Sequence, residues 1–159
     1  MLDSLLQRLA QDPAGDVDLA QVALLLAVDE YPDLDVTEYL ARLDDMAERL
    51  RPELVNDLAV DLAGLSHFLF SEEGFAGNAA DYYDPRNSYL NEVLDRKLGI
   101  PITLSVLAIA VGRRVGLHIV GVGLPGHFLA KGIWGPMEFL FDPFHGGLIQ
   151  APEECERLI

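Results

Sequence analysis

Cysteine is nearly missing: the chain has one, Cys155, in 159 residues. No internal disulfide is possible, which excludes a disulfide-built secreted scaffold and makes a reducing, cytoplasmic setting the expectation. Basic residues are scarce too, 11 Lys and Arg against 26 Asp and Glu, for a formal charge of −15. The imbalance sits in the front half, where residues 1–75 hold 17 acids and 4 bases while residues 76–159 hold 9 and 7. Such a surface repels phosphate backbones and anionic lipid, so no nucleic acid and no membrane partner is expected. Long apolar runs are also lacking. The longest uncharged stretches, Leu98–Gly112 and Val115–Ala130, are interrupted by Pro, Gly or His and fall short of the roughly 18 residues a membrane helix needs. The opening MLDSLLQRLAQD has an acid at position 3 and no basic segment ahead of an apolar one, so no targeting signal is read there.

What is present is a core: half the residues are apolar, enough for one ordinary domain. The front half reads as helices. Leu19–Ala27 is dense in Leu, Val and Ala behind two possible caps, Asp16 and Asp18. In 35–50, Asp35 and Glu38 resemble a capping box, and Val36, Tyr39, Leu40, Leu43, Met46, Ala47 and Leu50 form one apolar stripe. Pro52 suits the start of a further helix, with Leu54, Leu58, Leu62, Leu65 and Leu69 on one face. Residues 71–88 are turn-rich and predict a long connection without an element of its own. Asn87 or Ser88 is expected to cap a helix through Lys97, with Gly99 as its C-terminal glycine. Residues 102–115 are apolar nearly all round, which predicts a buried helix ended by Gly116. From His118 the period changes to that of strands: HIVGVGL, HFLAKGI and MEFLFD are separated by Pro-Gly and Gly-Pro turns. A short helix is expected after Gly147. The expected class is α+β, a single domain over 1–159 with a mainly helical subregion 1–80, a core 81–150 and a tail 151–159.

Chemistry concentrates in the strands. His127 opens one and Asp142 ends the next, the order of an acid–base pair that serves a nucleophile. A thiol enzyme would carry that nucleophile at the start of the buried helix, where the helix N-terminus lowers a thiol's pKa. Thr103 and Ser105 are the nearby hydroxyls; Thr103 also suits a capping role. Cys155 lies beyond the last strand among Glu153, Glu154 and Glu156, which raise a thiol's pKa. His118 reads as a strand-entry residue and His145 as a second polar group near His127. His118, His127, His145 and Asp142 show no HxH, HExxH or paired-cysteine spacing, so no metal and no cofactor are expected. Gly121, Gly123, Gly126, Gly146 and Gly147 precede no helix start and make no phosphate loop.

The stretches DYYDPRNSYLNEVLDRKLGIPITLSVL, GVGLPGHFLAK and FDPFHGG are similar to the SirB-one type of transglutaminase-like proteins. The resemblance covers 16–150 and is strongest over 81–147. In the transglutaminase-like core a Gly-x-Cys opens the buried helix, an Arg-x-x-Gly turn closes it, and His and Asp-Pro follow on strands. Here Gly99-Ile100-Pro101, Arg113-Arg114-Val115-Gly116, His127 and Asp142-Pro143 stand in those places. The resemblance therefore implies a papain-like architecture in which proline replaces the catalytic Cys, leaving Pro101, His127 and Asp142 as relic triad positions. It also implies a groove bordered by the loop before the preceding helix, so Tyr82, Arg86, Asn87, Asn91, Glu92 and His145 are the candidate ligand contacts, with Tyr83 beside Tyr82. The expected partner is a peptide or protein segment. Two alternatives stay open: a hydrolase or acyltransferase using Thr103 or Ser105 with His127 as base, and an adaptor docking through its acidic helices.

Overall fold

The computed structural model describes residues 2–12 and 17–150. Asp16, Cys155 and the tail 151–159 lie outside the described residues. Helix α1 spans Leu2–Ala10 and α2 spans Leu19–Ala27. Asp18 caps α2, its carboxylate accepting the Ala20 N–H at 3.1 Å, which ties down a donor the helix itself cannot pair. Helix α3, Val36–Leu50, starts in the same way, with Asp35 accepting the Glu38 N–H at 3.2 Å. Its predicted stripe faces inward: Leu43, Met46, Ala47 and Leu50 are buried, and Val36, Tyr39 and Leu40 pack at the edge of the core.

Pro52 does not open the next helix. It sits in a 3-10 turn, Arg51–Glu53, that finishes α3; Asn56 then takes a left-handed φ of 64° and α4 begins at Leu58, capped by Asp57. The buried Asp61 fixes this reversal by accepting the Val55 N–H at 2.8 Å and the Asp57 N–H at 3.2 Å. Leu58, Leu62, Leu65 and Leu69 therefore share a buried face without Leu54. Helix α4, Leu58–His67, runs out in a π turn over Phe68–Glu72.

The stretch 71–88 is more ordered than its composition predicts. Strand β1, Ala76–Gly77, pairs in parallel with β2, Leu98–Gly99, and Pro85–Ser88 forms a 3-10 turn. Two-residue strands have no period to read. Helix α5, Leu90–Arg96, has Tyr89 at its cap position, not Asn87 or Ser88, and Lys97 supplies the left-handed residue (φ 65°) expected of Gly99. Gly99 is committed instead to β2, where its carbonyl accepts the Asn78 N–H at 2.9 Å.

Helix α6, Pro101–Arg114, is buried at every position from Pro101 to Gly112. It packs on β3 (His118–Leu124) and β4 (His127–Trp134) on one side and on α3 and the other front-half helices on the other. Strand β5 is Met137–Asp142 and β6 is Leu148–Gln150; the order β3-β4-β5-β6 is antiparallel throughout. After Gly147 the chain forms β6, and the remainder of the stretch expected to be helical, 151–159, lies outside the described residues. Gly146 and Gly147 both take positive φ, a turn that returns the chain alongside β5. One apolar cluster runs from Leu6 through α6 to Phe141, and each fully buried leucine in it contributes roughly 1.5–3 kcal/mol of transfer free energy. The class is α+β.

Candidate functional site

Three chain segments meet at one end of α6. The first is its N-terminus. Ile100 is extended (φ −113°, ψ 171°) and Pro101 is the first helical residue, where the N–H that proline lacks would have no partner anyway. Thr103 locks this start: its hydroxyl accepts the Ile100 N–H at 3.1 Å and donates to the Asn87 carbonyl at 2.8 Å. Ser105 is fully buried one turn on, and its Oγ has no hydrogen-bond partner.

The second segment is the β3–β4 turn, which places His127 at the first position of β4, opposite Leu124. The third is the end of β5. Asp142 caps the 3-10 turn Pro143–His145, with Oδ1 accepting the backbone N–H of Phe144 at 3.1 Å and of His145 at 3.3 Å. That fixes the carboxylate and leaves Oδ2 facing two rings. His127 Nε2 lies 2.8 Å from it, and so does His145 Nδ1. A carboxylate only accepts, so each ring places a proton on the nitrogen facing Asp142. In a neutral His127 this leaves the Nδ1 lone pair available.

His127 also joins two cavities. One, of about 290 Å³, is lined by Pro101, Ile100, Tyr82, Gln7, Phe128 and His127. The other, of about 350 Å³, is lined by Pro125, His127, Asp142, His145, Leu148 and Gln150. Pro101 thus lines one cavity with His127, and Asp142 lines the other. Thr103 and Ser105 line neither cavity, because α6 turns their hydroxyls toward the protein interior. His118 is at the opposite end of the β3–β4 ladder, paired with Ile133 beside a cavity walled by Trp134 and Asp57.

The other candidates divide. Tyr82 walls the first cavity and sets its ring edge-on to Phe144, with centroids 5.7 Å apart; Tyr83 is almost fully exposed. Arg86, Asn87, Asn91 and Glu92 line neither cavity. Arg86 pairs with Asp84, chiefly through side-chain hydrogen bonding that holds the Asp84 carboxyl down at about 2. Asn87 is fully buried, donating to the carbonyls of Asp81 and Tyr82 and accepting from Asn78. Asn91 is buried within α5, and Glu92 accepts the Tyr31 hydroxyl at 2.9 Å. Asn87 and Glu92 thus hold the loop and α5 in place, Arg86 is paired locally with Asp84, and the buried Asn91 Oδ1 has no hydrogen-bond partner.

Two site residues escape sequence reasoning. Gln7 reaches the first cavity from α1, and nothing near it in the chain signals this. Phe144 packs beside both histidines, its ring 6.4 Å from His127 and 5.0 Å from His145. Its place inside the word FDPFHGG was the available signal. A Cβ on Gly77 would lie 2.7 Å from the Phe144 carbonyl, so this glycine lets β1 seat against the Asp142 turn.

The family model of the transglutaminase-like superfamily matches residues 37–159. The chain belongs to that superfamily. The match begins in α3. A UPF0162 protein of Xylella fastidiosa is 43% identical over 143 residues, covering 88% of this chain and 51% of that protein. A UPF0162 protein of Pseudomonas aeruginosa is 30% identical over 153 residues, 95% of this chain and 54% of that protein. F-box only protein 21 of Mus musculus is 34% identical over 106 residues, 62% of this chain and 17% of that protein. The chain spans about half the length of these UPF0162 relatives. No solved structure matches. Among the described residues, no helix is long and apolar enough to cross a membrane.

Proposed function

We propose that this transglutaminase-like domain is non-catalytic, of the SirB-one type, and that it binds a peptide or protein segment in the groove between the start of α6 and the β3–β4 turn, in a cytoplasmic setting. The carrying observation is Pro101. It opens α6 and shares a cavity with His127, whose Nε2 is held by Asp142. The imidazole is oriented as a general base would be, and the side chain offered to it has no atom that can attack a carbonyl. On this reading proline has replaced the catalytic cysteine, and the pair persists as a polar clamp beside an apolar wall of Ile100, Phe128 and Tyr82.

The hydroxyl-nucleophile alternative has less support, since Thr103 is committed to Ile100 and Asn87 and Ser105 is sealed in the core. The adaptor alternative draws on the acidic helices, yet several of those acids work inside the fold. Arg114 bridges Asp18 and Asp44, and Asp57 and Asp61 hold backbone N–H groups. The test is a peptide-library binding screen on wild type and His127→Ala, with serine- and thiol-directed acyl probes in parallel. Selective binding that weakens in His127→Ala is expected. Acyl labelling that depends on His127 would overturn the reading, as would the absence of any bound peptide class.

A further inference from the structure

The Asp142 carboxylate is shared by two imidazoles from different parts of the chain. His127 Nε2, His145 Nδ1 and an Asp142 oxygen all lie within 4.8 Å of one another. The sequence spacing had pointed away from a metal, because the β4–β5 excursion separates His127 from the other two. The turn after β5 supplies what spacing alone lacks. From the convergence of these three donors we infer that His127, Asp142 and His145 form a divalent transition-metal site, suited to Zn²⁺ and completed by water.

The donor set is of the right kind. Two neutral imidazoles and one carboxylate suit Zn²⁺. Metal bonds of about 2.0–2.2 Å in a tetrahedral arrangement place ligand atoms roughly 3.3–3.5 Å apart. The observed N···O separations are 2.8 Å on both sides and the three ligand atoms lie within 4.8 Å of one another, so to bind a metal both rings draw back from Oδ2 and turn their nitrogens toward a common point. Asp142 need not move. Its Oδ1 stays anchored on the Phe144 and His145 N–H groups, the kind of outer contact that orients a ligating carboxylate.

Binding exchanges two N–H···O hydrogen bonds for two N–metal bonds. His127 then binds through Nε2 with its proton on Nδ1, and His145 binds through Nδ1 with its proton on Nε2. If a ring starts doubly protonated, one proton is released to solvent. His145 is two-thirds exposed, and the cavity of about 350 Å³ opens beside it, so entry is unobstructed and the fourth position faces water. The remaining histidines are elsewhere: His67 is exposed near Glu72, and His118 is at the far end of the sheet.

This site goes beyond the groove reading, and its test is independent of peptide binding. Chelator-treated protein, with Cys155→Ser to remove the only thiol, is titrated with Zn²⁺ by calorimetry. Co²⁺ absorption serves as a probe of geometry, and thermal unfolding is followed with and without metal. One equivalent is expected to bind and to raise Tm. His145→Ala, at an exposed position, should keep the metal-free Tm and lose affinity by about 100-fold or more, beyond the roughly 10–100-fold cost of an outer contact. His67→Ala should leave affinity unchanged. No stoichiometric binding by the parent protein overturns the proposal, as does a loss under tenfold in His145→Ala or an equal loss in His67→Ala.

Discussion

His127 Nε2 lies 2.8 Å from Asp142 Oδ2, joining the first residue of one strand to the last residue of the next. Asp142 simultaneously caps the turn that follows it. Orienting the ring and ending the strand are thus one structural act, and the two can be separated by substitution. Asp142→Ala removes both and is expected to cost about 1–3 kcal/mol. Asp142→Asn keeps an oxygen for the cap and should cost less, while its amide reorganises the ring contacts. Denaturant unfolding gives the stabilities and ¹⁵N NMR of the imidazoles gives the tautomers. Equal stability of Asp142→Ala and wild type would show that the cap carries no weight.

Pro101→Cys places a thiol at the N-terminus of a buried helix beside His127. Both features favour thiolate, so alkylation by iodoacetamide near neutral pH should be faster than at Cys155. Adding His127→Ala should slow it. The folding cost is expected to be small, about 0.4–1 kcal/mol from the freer unfolded chain. A thiol at 101 no more reactive than Cys155 would mean that this position does not face the imidazole.

Asn87→Ala separates a structural role from a ligand contact. The fully buried amide bonds Asn78, Asp81 and Tyr82, so truncation leaves several buried groups unpaired and should destabilise by about 2–3 kcal/mol. Hydrogen exchange should rise across 78–88. If stability holds while ligand binding falls, Asn87 belongs to the groove after all.

Gly77→Ala is expected to disturb the site from a distance. The added methyl meets the Phe144 carbonyl and ring, and backbone cannot step aside cheaply, so about 1–3 kcal/mol is lost. The His127 and His145 ring resonances should shift with it. Unchanged resonances would disconnect β1 from the Asp142 turn.

Tyr31 donates to Glu92, and burial followed by that hydrogen bond lifts its pKa from 10.0 to about 12. A raised folded-state pKa means that the stabilisation is whole below about pH 10 and is lost as pH rises toward 12. Tyr39, bonded to Asp95, rises to about 12 as well. Ultraviolet titration should therefore show a late-ionising class, reduced by Tyr31→Phe. That variant should also lose about 1 kcal/mol below pH 10. A titration in which every phenol ionises together would remove this contact.

Local chemistry settled much of this protein in advance. The stripe of α3, the apolar α6 and the alternating strands were legible because burial imposes a period on each element. The order Pro101, His127, Asp142 was legible only through the resemblance to the transglutaminase-like core, whose motif places fall at those positions. Tertiary structure decided what has no period. It made Lys97 rather than Gly99 the left-handed residue, because Gly99 was needed in β2. It drew Asn87 and Glu92 into holding the loop and α5, and brought Gln7 to a cavity otherwise lined by residues between 82 and 128. Above all it set His145 on the oxygen that already holds His127. A contact between residues far apart in sequence depends on where whole elements come to rest, and that is fixed by packing of the shared core rather than by any local preference.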